Sequence, residues 1–207
     1  EREAETVEGS LFDNGFVILD GAMGTLLQKE GLLDGRKPET LNLTHRESII
    51  KIHKAYFDSG SNVVSANTFG ANALKYDENE LEDVIKAAFE NAEEAKKQTE
   101  NKGEKFVALD IGPLGKLLKP LGDLEFEDAV EIFAKTVRLG VKYGAELVLI
   151  ETMNDSLETK AALLAVKENS DLPVLVCNAY SQDQKLMTGS GPEIMVAMLE
   201  GMGADAI

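Results

Sequence analysis

The sequence predicts an α/β protein on a parallel sheet, of the (β/α)8 TIM barrel kind, and three observations carry that expectation. Short apolar runs rich in Val, Ile and Leu recur along the 207 residues. They are continuous rather than alternating, as strands buried on both faces require. Between them lie stretches with helical periodicity and their own start or stop signals. One grammar also repeats around Gly60, Gly144 and Gly203: helix end, glycine turn, polar residue, apolar strand. Repeated units of that kind suit a barrel better than a dinucleotide fold of two halves.

In chain order, residues 1–15 read as a lead-in and 16–207 as one domain. The apolar runs are residues 16–19, 62–66, 106–109, 147–150 and 174–176, and a sixth begins at Asp205. Thr44-His45-Arg46-Glu47 reads as a capping box opening a helix that carries Ile49, Ile50, Ile52 and Tyr56 and ends at Gly60. Residues 81–98 form a helix whose outer face, laden with Glu and Lys, belongs to a solvated run from Asp77 to Lys105. Residues 126–141 place Val130, Phe133, Val137 and Val141 on one stripe, closed by Gly144. Residues 155–167 and 192–202 supply two more helices. Pro192 suits a first helical position, and Met195, Met198 and Met202 belong to the core. At about 40 residues per unit, eight units need roughly 300 residues or more. The sequence therefore reads as a truncated barrel of about five and a half units, cut within its sixth strand.

Charge excludes several classes of partner. Basic residues number 21 and acidic residues 37, a formal net charge of −16. So acidic a chain repels nucleic acid and anionic lipid at long range, and neither is an expected partner. No apolar run approaches the roughly 18 residues of a membrane helix, and Glu1-Arg2-Glu3-Ala4-Glu5 is no signal peptide. The single cysteine, Cys177, has no internal disulfide partner, so a reducing cytoplasm is the expected compartment.

In parallel α/β folds, functional groups gather at the C-terminal ends of strands. Here those ends are Asp20-Gly21-Ala22-Met23-Gly24-Thr25, Asn67-Thr68-Phe69-Gly70, Asp110-Ile111-Gly112-Pro113, Glu151-Thr152 and Cys177-Asn178. If they converge, Asp20, Asp110 and Glu151 make an anionic mouth suited to an ammonium group or a metal. Gly21 and Gly24 permit a sharp turn and close approach of a ligand to the backbone. The amides of residues 22–25 then open a short helix at Leu26 and Leu27, whose N-terminus can hold a carboxylate. Carboxylate and ammonium sites together describe an amino-acid site. The same spacing fits a tight turn capped by Asp20, and Glu151 fits equally a strand-end carboxylate paired with a lysine. His45 and His53, eight apart on one helix and without ligand partners, read as surface or capping residues. Thr188-Gly189-Ser190-Gly191-Pro192 lacks the lysine of a P-loop and reads as a plain loop before a helix. Cys177 reads as a small buried hydrophobe.

Five motifs then stand in one order along residues 11–207. They are Leu19-Asp20-Gly21-Ala22-Met23-Gly24-Thr25, Ala66-Asn67-Thr68-Phe69-Gly70-Ala71-Asn72, Asp110-Ile111-Gly112-Pro113-Leu114-Gly115, Lys119-Pro120-Leu121-Gly122 and Ile150-Glu151-Thr152-Met153-Asn154-Asp155. The ordered set resembles the homocysteine-binding domain of the homocysteine S-methyltransferases. Residues 110–122 favour the N-terminal module of the cobalamin-dependent methionine synthases over relatives that use betaine or S-methylmethionine.

The resemblance implies a (β/α)8 barrel that binds homocysteine at its C-terminal mouth. Asp20 and Glu151 would hold the substrate ammonium. Gly21, Ala22, Met23, Gly24 and Thr25 would present amides to its carboxylate, with Asn67 and Asp110 lining the mouth. It also implies a zinc ion on three cysteines that takes the homocysteine sulfur as fourth ligand. Methylcobalamin, recharged from 5-methyltetrahydrofolate, would supply the methyl group, and folate- and cobalamin-binding modules would be the partners. Here the sequence departs from the family, because the three zinc cysteines are expected beyond Ile207. These residues are thus expected to carry the amino-acid half of the site and no catalytic group. They are expected to bind neither zinc nor cobalamin and to be inactive alone. A non-catalytic amino-acid-binding module, or an unrelated lyase-like barrel using Asp20 and Glu151 as acid and base, remain as alternatives.

Overall fold

The computed structural model describes residues 16–207, so the expected lead-in, residues 1–15, lies outside the described residues. Four strands pair in parallel and in chain order: β1 (Val63–Ser65), β2 (Phe106–Ile111), β3 (Leu147–Met153) and β4 (Val174–Asn178). An order without reversal is that of a singly wound sheet, in which each crossover advances one strand. Single parallel bridges extend it at both edges, Leu19 to Val63 beside β1 and Leu175 to Ala206 beside β4.

The expected first strand, residues 16–19, is therefore reduced to a bridge, and so is the sixth. Each has a strand neighbour on one side only among the described residues. Ile18 still accepts from the amides of Asn62 and Val63, while Phe16 is 98% exposed. By contrast β2, β3 and β4 outrun their apolar stretches and carry Asp110, Glu151, Cys177 and Asn178 inside the paired strands.

The helices are α1 (Met23–Lys29), α2 (Leu41–Thr44, after a 3-10 turn at Pro38–Thr40), α3 (Arg46–Asp58), α4 (Glu78–Gln98), α5 (Phe126–Lys142), α6 (Ser156–Asn169) and α7 (Pro192–Gly201). Two have side-chain caps. Asp77 accepts from the amide of Glu80 at 2.9 Å, and Asp155 accepts from Leu157 at 2.7 Å. The capping box expected at Thr44 is not formed. Thr44 closes α2, so its hydroxyl meets the Thr40 carbonyl and the His45 ring, while His45 takes the N-cap position of α3 without a side-chain cap bond. The three glycines of the repeated grammar, Gly60, Gly144 and Gly203, all take positive φ, which ends each helix and turns the chain into the next strand.

The sheet buries its two faces differently. Val64, Val107, Leu109, Val148, Ile150, Val174 and Val176 pack under α3 to α7 in the main core, together with Phe57, Phe89, Phe133 and Met195. Met198 and Met202 flank that core, half-buried. Along α5, Phe133 and Val137 are buried as the stripe predicts, but Val141 is 41% exposed at the helix end. The other face carries Val63, Ala108, Leu147, Leu149 and Leu175, buried against one another and flanked by Val17, Leu19, Phe106 and Ala206. Apart from Val17, all of these are strand or bridge residues. No described helix is long and apolar enough to cross a membrane.

Helix α5 lies directly on the sheet because Gly140 has no side chain: a Cβ there would sit 2.6 Å from Leu109 Cδ2. Gly201, near the end of α7, faces open space. Gly140→Ala is expected to lose about 1 kcal/mol net, overpacking outweighing the gain in helix propensity, while Gly201→Ala gains about 0.5 kcal/mol. Chemical denaturation checks the opposite signs, and equal shifts would contradict this packing.

His53 is not a surface residue as expected. It is fully buried on α3, and neither ring nitrogen has a partner. Burial pushes its pKa down from 6.5 to about 4. The unfolded chain therefore binds the proton first, so the stability from burying a neutral ring is full above pH 6.5 and drains as pH falls toward 4. Between pH 7 and 5 this term costs about 2 kcal/mol. His53→Leu should remove that part of the acid sensitivity in denaturation curves; an unchanged slope would show that the ring is not held neutral.

Candidate functional site

Strand alternation builds the site. Side chains two apart share a face, so the face bearing Val63, Ala108, Leu149 and Leu175 continues, one step toward the C-terminal ends, into Ser65, Asp110, Glu151 and Cys177. An apolar layer thus ends in a polar one. Above it opens a cavity of about 450 Å³ lined by Asp20, Gly21, Ala22, Met23, Gly24, Glu39, Asn67, Asp110, Glu151 and Cys177, among others. Of the expected substrate-binding residues Asp20, Gly21, Ala22, Met23, Gly24, Thr25, Asn67, Asp110 and Glu151, only Thr25 lies outside this lining, exposed on α1.

Asp20 follows the Leu19 bridge and reaches across to β1. Its carboxylate accepts from the Ser65 amide at 2.9 Å and the Ser65 hydroxyl at 3.0 Å. It does not cap α1, which has no side-chain cap, so the first amides of that helix stay free beside the cavity. Burial nevertheless raises Asp20 to about 6 against the Ser65 bonds, and Glu151 adds to the rise. Of the two glycines here, only Gly21 is needed for space: a Cβ would stand 2.9 Å from the Tyr56 hydroxyl, whereas Gly24 has nothing within 4 Å. Neither takes a positive φ, so close approach rather than a sharp turn is the use of glycine at this end.

Asp110 is the deepest of Asp20, Asp110 and Glu151, 6% exposed, with its Oδ1 lacking any partner. Thr68 brackets its backbone, donating to the Asp110 carbonyl at 2.8 Å and accepting from its amide at 3.1 Å. Burial holds Asp110 well above the usual carboxylate range, and the charges of Glu151, Asp20 and Glu39 push the same way. Glu151 is raised by burial. Among the described residues no basic side chain forms an ion pair with Asp20, Asp110 or Glu151, so the lysine-paired reading of Glu151 does not hold.

Where β3 meets β4 the register slips. Ile150 pairs with Val176 and Met153 with Asn178, so Glu151 and Thr152 together stand opposite Cys177. The extra residue is absorbed by Thr152 at φ +59°, a left-handed conformation costly for a β-branched side chain. Such a bulge re-aims the neighbouring side chains. Cys177 itself is exposed and faces the cavity, not the buried hydrophobe expected, because it lies on the polar end of the strand face. Burial of its sulfur and the Glu151 charge push the thiol up.

The sequence reading missed Glu39. It is 3% exposed in the turn before α2, accepts from the Gly70 amide at 2.6 Å and the Tyr76 hydroxyl at 2.8 Å, and lines the same cavity. A Cβ on Gly70 would lie 2.5 Å from that carboxylate. No local pattern marks Glu39, since its partners lie more than thirty residues away. Nearby, Asn67 donates to Asn42 Oδ1 and to the Pro38 carbonyl, both at 2.9 Å. Asn42 donates back to the Asn67 carbonyl at 2.8 Å, and Asn91 on α4 donates to the Asn42 carbonyl at 2.9 Å. Residues 188–192 form the plain loop expected, with Pro192 first in α7. No group of three or more His, Cys, Asp and Glu among the described residues is arranged to hold a metal ion, and one cysteine cannot make a three-cysteine set. A zinc site of the implied kind does not fit these residues.

Comparison with known proteins extends the picture. Residues 17–207 match the sequence pattern of the family described as homocysteine S-methyltransferase. Methionine synthase of Mycobacterium leprae (strain TN) is 29% identical over 208 residues, which cover 92% of this chain and 17% of that protein. Methionine synthase of Mycobacterium tuberculosis (strain ATCC 25618 / H37Rv) is 28% identical, with the same shares. The chain therefore spans 17% of the length of these two curated relatives. In three dimensions it is similar to the homocysteine methyltransferase MmuM of Escherichia coli in its metallated form, with a TM-score of 0.81 and 22% identity over 94% of this chain and 74% of that one. The oxidized form of the same enzyme matches with a TM-score of 0.80. At that identity the likeness is one of fold, and it accords with the α/β architecture and parallel sheet described above. With the family's pattern matched over nearly its whole described length, the chain belongs to the homocysteine S-methyltransferase family.

Proposed function

We propose that this chain is the homocysteine-binding part of a methionine synthase, built as the first five and a half units of a (β/α)8 barrel. The observation that carries the reading is the convergence of Asp20, Asp110 and Glu151 on one cavity without a basic partner among the described residues. Three carboxylates left so, one buried and two half-buried, are costly to ionise together unless a cation arrives or protons are retained. An amino acid answers both ends of the cavity: its ammonium meets Asp20 and Glu151, and its carboxylate meets the free amides at the start of α1. Asp110 and Asn67 line the space between, and the thiol end extends toward the opening.

The methyl group would come from methylcobalamin, recharged from 5-methyltetrahydrofolate on further modules; the likeness to methionine synthases supports that choice of donor. In that reaction the homocysteine sulfur attacks the methyl carbon, and the described residues serve it by binding and orienting the amino acid. Activation of the thiol is not furnished by them, because they hold no zinc set.

Homocysteine is expected to bind the chain, and Asp20→Asn and Glu151→Gln should each weaken it at least about tenfold, about 1.4 kcal/mol or more. Because Asp20 must be ionised to meet an ammonium, affinity should hold above pH 6 and fall as pH drops below it. Calorimetry across pH tests both, and binding indifferent to either variant would overturn the assignment. Metal analysis of the purified chain should find well under one zinc per chain, and a full equivalent would contradict the absence of a ligand set.

A further inference from the structure

Cys177 is the one thiol of the chain, exposed within the same cavity as the carboxylates and set opposite Glu151 by the slip in register. In the same cavity, two strands away across Glu151, the buried Asp110 keeps Oδ1 without a partner among the described residues. An ammonium held between Asp110 and Glu151 stands on the strand next to Cys177 and brings what its carbon chain carries within the same cavity as that sulfur. We propose that Cys177 is a covalent trap for disulfides of small amino thiols, homocystine foremost, held by the same carboxylates that would hold homocysteine. The proposal rests on the reading of the cavity as a homocysteine site.

The step is thiol–disulfide exchange. The Cys177 thiolate attacks one sulfur of homocystine, a new S–S bond joins Cys177 Sγ to one homocysteine, and the original S–S bond breaks. The second homocysteine leaves as a thiolate and takes up the proton that Cys177 lost. Homocystine is itself the oxidant, reduced by one thiol as Cys177 is oxidised. Burial and the Glu151 charge keep the resting thiol protonated, so an anionic disulfide meets an unreactive sulfur behind a negative wall. An ammonium beside Glu151 cancels the charge that opposes the thiolate. The adduct fills the space the substrate needs, so oxidised substrate closes the site until a reductant reopens it.

The test treats the reduced 207-residue chain with homocystine, cystamine and 3,3′-dithiodipropionate, reading intact mass over time. Each rate is divided by that of the same chain in denaturant, which removes the intrinsic reactivity of the reagent. Peptide mapping should place one homocysteine on Cys177, released by reductant. Normalised rates for homocystine and cystamine should exceed that for the dicarboxylate about tenfold or more. Asp110→Asn should narrow the gap, though the comparison of reagents on the unaltered chain stands without it. Equal normalised rates for all three, or no adduct from homocystine, would overturn the trap. Calorimetry of homocysteine on the reduced chain separates the two readings. Binding without an adduct discards the trap alone, whereas no binding discards the homocysteine site on which it rests.

Discussion

A parallel strand gives its side chains alternately to two faces, and that alternation governs both the core and the site. Val63, Ala108, Leu149 and Leu175 fill one face, and the next residue on the same face of each strand is Ser65, Asp110, Glu151 or Cys177. Because the strands are parallel, these four changes from apolar to polar fall on one edge of the sheet. A slip of one residue in β2 or β3 would turn Asp110 or Glu151 onto the face beneath the helices. The stability of the core and the placement of the charges are therefore one constraint.

The charges are held against their own repulsion by neutral donors. Ser65 gives Asp20 two hydrogen bonds, Gly70 and Tyr76 serve Glu39, and Thr68 fixes the Asp110 backbone without reaching its side chain. Neutral donors orient a carboxylate without cancelling its field, so the cavity stays anionic where an ion pair would have quenched it. The left-handed Thr152 belongs to the same economy, since the bulge it absorbs brings Glu151 and Cys177 opposite one another.

Much of this was legible in the sequence, and the parts that were not share a cause. Apolar runs, Pro192 as a first helical residue, and Gly60, Gly144 and Gly203 as turns are local signals, and the structure follows them. Strand-end polar residues also pointed to the cavity, because in a parallel sheet the end of each strand is known once the strand is. What escaped depends on neighbours far along the chain. The run at 16–19 looks like a strand but finds a partner on one side, and the box at Thr44 was forestalled by a short helix before it. His53 is polar by type, yet its face of α3 is inside. Cys177 is apolar by type, yet its position on β4 faces the cavity. Glu39 had no local mark at all.

The linked amides of Asn42, Asn67 and Asn91 fix when the cavity wall becomes ordered. Asn67 is held by Asn42, and Asn42 is held by Asn91 from α4, so the rim at Asn67 is set by the docking of that helix. Its rotamer entropy is lost during folding, before any ligand arrives. An entering amino acid thus meets a preorganised wall, and the entropy of its capture reflects its own immobilisation and the water it releases.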